Sequence, residues 1–340
     1  MQNNLITWYN RNKRDFPWRK RHDAYAIWIS EIMLQQTTTE AVIPYYNRFL
    51  ERFPTIKDLA NASLEDVYKL WEGLGYYRRA KHLHETALII MDKYQGNFPK
   101  TYDEILSLKG IGPYTAGAIC SIAYRQSIPA IDGNVLRIIS RLDLIKDNIA
   151  LPQTQKKITK RVSELIQGYD GSDFNQGLMD LGATICRPVN PRCHDCPIQK
   201  SCQAYKHNEQ NVLPINIKNI KHQDIHYITA VITYKDQFYM IQNPAGLLEN
   251  LYGFVQYECE SPYTFIEKFK DEYKHDLTIA SYITDIKHVF THRTWRMHVY
   301  HFILDKPLLN MYSLDDIAQI PVSTAHQKVL KAYMNKETTK

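Results

Sequence analysis

Four cysteines, Cys186, Cys193, Cys196 and Cys202, follow the spacing C-x6-C-x2-C-x5-C, whereas Cys120 and Cys259 stand far from them. Thiols crowded in this way are metal or cluster ligands before they are anything else. A four-iron, four-sulfur (4Fe-4S) cluster takes one cysteine at each iron, and an uneven loop can supply all of them. Zinc stays open as an alternative, because Cys193 and Cys196 form one C-x2-C pair and His194 and His207 lie nearby. Disulfides fit poorly: Met1 to Arg14 is polar and basic and has no apolar run of secretion-signal length, so the reading expects a cytoplasmic protein.

A second feature is a lone charge. The segment Ala24 to Thr37 is apolar on most faces and reads as a buried helix, yet it holds Glu31. A carboxylate there is costly unless it is paired or used. Burial raises a carboxyl pKa, so Glu31 is a candidate general acid near neutral pH. The plain alternative is an ion pair with Arg14, Arg19 or Arg21.

Further along, Leu108-Lys-Gly-Ile-Gly-Pro-Tyr-Thr-Ala-Gly-Ala-Ile119 has the form of a helix-hairpin-helix. Gly110 and Gly112 permit a tight turn, and the helix starting at Pro113 offers its backbone N–H groups to a phosphate without regard to base sequence. Asp132, in Pro129-Ala-Ile-Asp-Gly-Asn-Val-Leu-Arg137, reads on its own as a helix N-cap.

These residues need elements to hold them. Apolar residues at spacings of three and four predict helices over Leu59 to Trp71, Ala80 to Tyr94 and Gln153 to Ile166, so residues 1–206 read as an all-α domain that ends with the cysteine loop 186–202. Composition then lapses into Asn, Lys, His and Pro over 207–224, a linker. Beyond it, residues 225–336 read as a smaller α+β domain. Its elements are a hairpin of His226 to Tyr234 and Gln237 to Gln242, a helix over Pro262 to Tyr273, and a strand over Trp295 to Leu304 with Met297, Val299, His301 and Ile303 on one face. Two domains suit 340 residues. The balance of 42 basic against 36 acidic residues gives +6, compatible with a polyanionic partner. No stretch approaches the roughly 20 apolar residues of a membrane helix, so no membrane partner is expected.

Taken in order, Arg14-Asp-Phe-Pro-Trp-Arg19, Trp28-Ile-Ser-Glu-Ile-Met-Leu-Gln-Gln-Thr37, Gly73-Leu-Gly-Tyr76, the hairpin, Asp132-Gly-Asn134 and the cysteine quartet resemble the adenine DNA glycosylase (MutY) family. The resemblance is strongest over residues 8 to 205. It implies a helix-hairpin-helix glycosylase domain with a 4Fe-4S loop, followed by a smaller Nudix-like domain. It implies that Glu31 is the catalytic acid and Asp132 the second carboxylate, with Asn134 and Tyr114 orienting Asp132 and the developing sugar cation. Arg14, Trp18 and Arg19 would belong to the adenine pocket and DNA contacts. Gln36 and Tyr76 would attend base extrusion, Thr37 would contact substrate or DNA, and Gly110 and Gly112 the backbone. Phe290-Thr291-His292 stands where the family has Phe-Ser-His, which reads the opposite base. The run Gly246 to Val255 departs from the family's pattern, and Glu260 to Asp276 lacks the acidic arrangement of a magnesium-binding Nudix box.

The implied activity is hydrolysis of the N-glycosidic bond of adenine opposite 8-oxoguanine or guanine in double-stranded DNA, by a monomer, leaving an abasic site. Related endonuclease III enzymes have a lysine where this chain has Tyr114, and a tyrosine cannot form their Schiff base. A glycosylase and lyase for oxidised pyrimidines is therefore the second reading, and a non-catalytic DNA lesion sensor the third.

Overall fold

The computed structural model describes residues 1–217 and 222–338. The part of the linker at 218–221 lies outside the described residues. The chain divides into two compact units, Met1–Ala62 with His82–Lys218, and Ser63–Lys81 with Asn219–Lys340. The sequence reading cuts the chain once, near residue 206, whereas the contacts lift Ser63–Lys81 out of the helical part and group it with the C-terminal part.

The first unit is helical. At its centre lies the helix Ala24–Leu34, buried at every position but the last, with the Asp23 side chain accepting the Ala26 N–H at 2.8 Å as an N-cap. It packs on the helix Pro113–Tyr124, which in turn meets Gly171–Thr184. Gly171–Thr184 also packs against the helices Gln2–Asn12 and Gly133–Leu142. One close approach there has no room for a side chain: a Cβ at Gly182 would come within 2.5 Å of the Asn134 Cβ. The single helix expected over Leu59 to Trp71 is two, Ile56–Asn61 and Leu64–Trp71. The Ser63 hydroxyl accepts the Asp66 N–H at 3.0 Å and starts a new helix there, a local bond that competes with continuing the old one.

In the second unit the strands are β1 (Gln223–Tyr234), β2 (Gln237–Tyr239), β3 (Ile241–Gln242), β4 (Tyr252–Gly253), β5 (Val255–Tyr257), β6 (Leu277–Val289), β7 (Arg293–Leu304) and β8 (Met311–Tyr312). The main sheet runs β6-β7-β1-β2-β8, with β5 also paired to β1. β1 and β7 are parallel, and the hairpin forms with Tyr234 opposite Gln237, but the strand expected over Gln237 to Gln242 ends at Tyr239, and Ile241–Gln242 pairs with β4 in a separate two-stranded sheet. Both faces are covered. Val231, Met297 and Val299 pack with Ala325 and Val329 of the helix Thr324–Glu337, while Ile228, Ala230 and Phe302 pack with Phe265 and Phe269 of the helix Pro262–Tyr273. This explains the unbroken buried run in β1.

Two strand details differ from the sequence reading. Ile303 is exposed, and Phe302 and Leu304 fill the core on the opposite face. The long strand β6 was not expected, because register shifts at Ile279/Ser281 and Tyr282/Thr284 break its alternation into short pieces. Among the described residues no helix is long and apolar enough to cross a membrane.

Candidate active site and cysteine loop

Glu31 is 5 % exposed and faces a cavity of about 360 Å³ lined also by Arg14, Trp18, Arg19, Thr37, Tyr114, Asp132 and Asn134. Thus most of the residues picked out in the first unit converge. Burial pushes the Glu31 carboxyl up to about 7, against a lowering hydrogen bond from Tyr114, and the nearby Asp132 raises it further. Its Oε2 has no hydrogen-bond partner. The ion pair that could have made Glu31 merely structural is absent from its neighbours: Arg14 and Arg19 pair with Asp180, and Arg21 with Asp23. Tyr114 is driven well above its ordinary range by burial and by the two carboxylates, so it stays a neutral phenol.

Asp132 is the helix N-cap expected of it and also lines the cavity. Its Oδ1 caps the helix Gly133–Leu142 by accepting the Val135 N–H at 2.8 Å, and its Oδ2 accepts from the Asn134 amide at 2.7 Å. Burial raises its carboxyl, while Val135, Asn134 and the Arg137 guanidinium oppose that rise. Asn134 in turn accepts from Arg137 Nη2 at 2.7 Å, and Arg137 also donates to the carbonyls of Gly182 and Cys186, at 2.9 and 2.8 Å. One helix face therefore links the carboxylate to the cysteine loop.

Asp180 and Arg137 are site residues that the sequence analysis passed over. Asp180 is 1 % exposed; burial would raise its carboxyl, but Arg19 and Arg14 hold it below the usual carboxylate range. Arg14 bonds it through Nε at 2.9 Å and Nη2 at 2.6 Å, and Arg19 through Nη1 at 2.8 Å. Both guanidiniums lie over the Phe16 ring, which stacks on Trp18 with centroids 4.9 Å apart. Trp18 is thus both buried and cavity-lining. No local signal sets Asp180 apart, because its helix also carries Asp173 and several polar side chains.

Other candidates sit elsewhere. Gln36 is exposed with φ 60°, a left-handed backbone uncommon for a residue with a side chain. Gly110 has φ +75°, and a Cβ there would strike His82 at 2.6 Å, so the hairpin requires glycine on both counts. Gly112 is the N-cap of Pro113–Tyr124. Neither glycine lines the cavity. In the second unit, Phe290 is partly buried against Trp295, while Thr291 and His292 are exposed at the turn joining β6 and β7. Thr291 Oγ1 lies 2.9 Å from the Tyr76 hydroxyl, and Tyr76 is 49 % exposed with φ 51°.

The cysteine loop packs onto the core of the first unit through Cys186 and Cys196. All four thiols are unpaired and half-buried. Burial pushes Cys196 up to about 12, and Cys186, Cys202 and Cys193 add to that rise. Burial likewise raises Cys193 and Cys202, with Cys186 adding to both. Arg141, 2 % exposed, bonds Cys186 Sγ at 3.3 Å and the Arg187 carbonyl at 2.7 Å, neutralising charge at the loop. Four free thiols in one loop are donors of the type an iron-sulfur cluster takes, while among the described residues they do not draw together into a metal-holding group.

Residues 29–167 match the profile described as HhH-GPD superfamily base excision DNA repair protein, and residues 228–332 match the NUDIX domain. The chain is 40 % identical over 241 residues to the adenine DNA glycosylase of Buchnera aphidicola subsp. Acyrthosiphon pisum, covering 70 % of this chain and 69 % of that one. It belongs to the adenine DNA glycosylase family. This family member is also 35 % identical to the Arabidopsis thaliana enzyme of that name, over 87 % of its own length, but spans only 56 % of the plant protein. Among solved structures, a thermostable thymine-DNA glycosylase matches with a TM-score of 0.56 and 32 % identity, covering 60 % of this chain and 94 % of that one. The expected fold, a helix-hairpin-helix glycosylase domain followed by a Nudix domain, is the one present.

Proposed function

We propose that this chain hydrolyses the N-glycosidic bond of adenine opposite 8-oxoguanine or guanine in double-stranded DNA and leaves an abasic site. The observation that carries the reading is Glu31: buried at the wall of the cavity, with an oxygen that has no hydrogen-bond partner and a carboxyl near 7, it can hold a proton at neutral pH. An extruded adenine enters the cavity. Glu31 gives its proton to N7 as the bond between C1′ and N9 breaks, and the electron pair leaves with the base. Asp132 faces the oxocarbenium-like carbon as the anion, since Val135, Asn134 and Arg137 favour its charge where Tyr114 and Arg19 favour that of Glu31. Water then adds at C1′ and gives up its proton.

Tyr114 bonds Glu31 and offers no amine, so no Schiff base forms and the strand stays intact. Asp180 sets the two arginines at the cavity, where Trp18 supplies an apolar wall. Thr291, Phe290 and His292, with Tyr76, would read the base opposite. Cys186, Cys193, Cys196 and Cys202 would hold a 4Fe-4S cluster, which supplies structure to the loop. Bond hydrolysis needs no electron transfer.

Duplexes with adenine opposite 8-oxoguanine, adenine opposite guanine, thymine opposite guanine and thymine glycol opposite adenine test the reading, each with and without hot alkali. The expected result is breakage at adenine only after alkali. Breakage at thymine glycol without alkali would assign a lyase, and release of thymine opposite guanine would assign the activity named for the similar solved structure.

A further inference from the structure

The turn bearing Tyr76 is built stiffly. Gly73, Gly75 and Tyr76 have φ of 94°, 75° and 51°. Trp71 Nε1 donates to the Gly75 carbonyl at 3.0 Å, and the Gly73 N–H donates to the Tyr77 hydroxyl at 3.1 Å. The Arg79 guanidinium donates to the Gly75 carbonyl at 3.0 Å and lies 5.3 Å from the Trp71 and Tyr76 ring centres. The Tyr76 ring is exposed but not loose.

What this turn is fastened to is the C-terminal fold, at several separate points. Glu72 Oε1 accepts the Val322 N–H at 3.0 Å. Its Oε2 pairs at 2.8 Å with Lys69, which also donates to the Ile320 carbonyl at 3.1 Å. A single ion pair, one turn apart on the helix Leu64–Trp71, thus grips both ends of 320–322. That segment is tied to β4, since Tyr252 donates its N–H to the Pro321 carbonyl at 2.9 Å, and the Tyr252 hydroxyl bonds Glu65 at 3.3 Å. At the far end of the turn, Lys81 pairs with Glu249 at 2.6 Å and Tyr76 bonds Thr291 at 2.9 Å. Glu72 and Lys69 have side-chain exposures of 17 % and 32 %, so water screens their pair less than an open surface pair.

We propose that Lys69 and Glu72 are positioning residues for opposite-base discrimination, holding the Tyr76 turn and the Phe290–His292 turn as one reading surface. This rests on the function proposed above. None of these bonds involves Glu31, Asp132 or Tyr114, so the device acts on which pair is accepted and leaves the proton transfer alone.

Single-turnover release of adenine opposite 8-oxoguanine and opposite guanine tests this in the full chain. The unsubstituted protein should prefer 8-oxoguanine. Glu72→Ala should narrow the ratio of the two rates roughly three- to tenfold, the worth of one or two lost hydrogen bonds. Glu72→Gln, which still accepts from Val322, should recover most of it, and Tyr76→Phe should narrow it as Glu72→Ala does. Lys69→Met, keeping the aliphatic stem, replaces Glu72→Ala if that variant does not fold. An unchanged ratio in Glu72→Ala and Tyr76→Phe, or equal slowing on both duplexes, overturns the inference while the function stands. Absence of any preference in the unsubstituted protein overturns the reading of the function instead.

Discussion

Glu31 shows how far one residue type in one setting can be argued. Its isolation in an apolar helix is visible in the sequence, and its depth and its free oxygen follow from packing. Because burial raises its carboxyl to about 7, the proton it must donate is present below that pH and lost above it. The single-turnover rate should therefore fall as pH rises through about 7, and Glu31→Gln should lose roughly a thousandfold in rate while still binding the mismatch. A flat profile above pH 7 would remove Glu31 from the role of acid. Asp180 carries no such signature, because it shares its helix with Asp173 and polar side chains, and nothing local reveals which arginines will close on it from a segment 161 or 166 residues away.

The element that matters most is the helix Gly133–Leu142. It carries Asp132 as its cap, Asn134 in its first turn, and Arg137 and Arg141 toward the cysteine loop. Gly182→Ala would drive a methyl group into Asn134. Crowding of that kind costs about 1–3 kcal/mol, and a shift of Asn134 near 1 Å should slow adenine release roughly a hundredfold. Thermal melting and single-turnover kinetics on the same sample check both. For the loop, Cys196→Ser should lose visible absorbance and DNA affinity together; normal affinity without absorbance would disconnect the cysteines from DNA binding. Among elements, the helix Pro262–Tyr273 has the bounds its periodicity predicts, since Ser261 caps it and its apolar spacing is regular. β6 was illegible because its register shifts erase the alternation on which strand reading depends.

On the scale of the whole molecule, a net charge of +6 together with the DNA substrate proposed above predicts steep salt dependence of binding. Titrating a labelled mismatched duplex from 50 to 200 mM salt should weaken binding by about tenfold or more, with a linear log–log slope. A nearly flat slope would place the interface elsewhere. The sequence by itself determined the family motifs, the cysteine spacing, the lone acid of the apolar segment around Glu31, the tyrosine in place of a lysine and the order of the two folds. Each of these is a residue type at a fixed local offset, which the chain states directly. Only the tertiary structure decided that Arg14 and Arg19 form their ion pairs with Asp180, that Arg137 joins Asn134 to Cys186, and that Ser63–Lys81 groups with the C-terminal unit. These are pairings between residues far apart in the chain, and their identity depends on which surfaces packing brings together rather than on any local pattern.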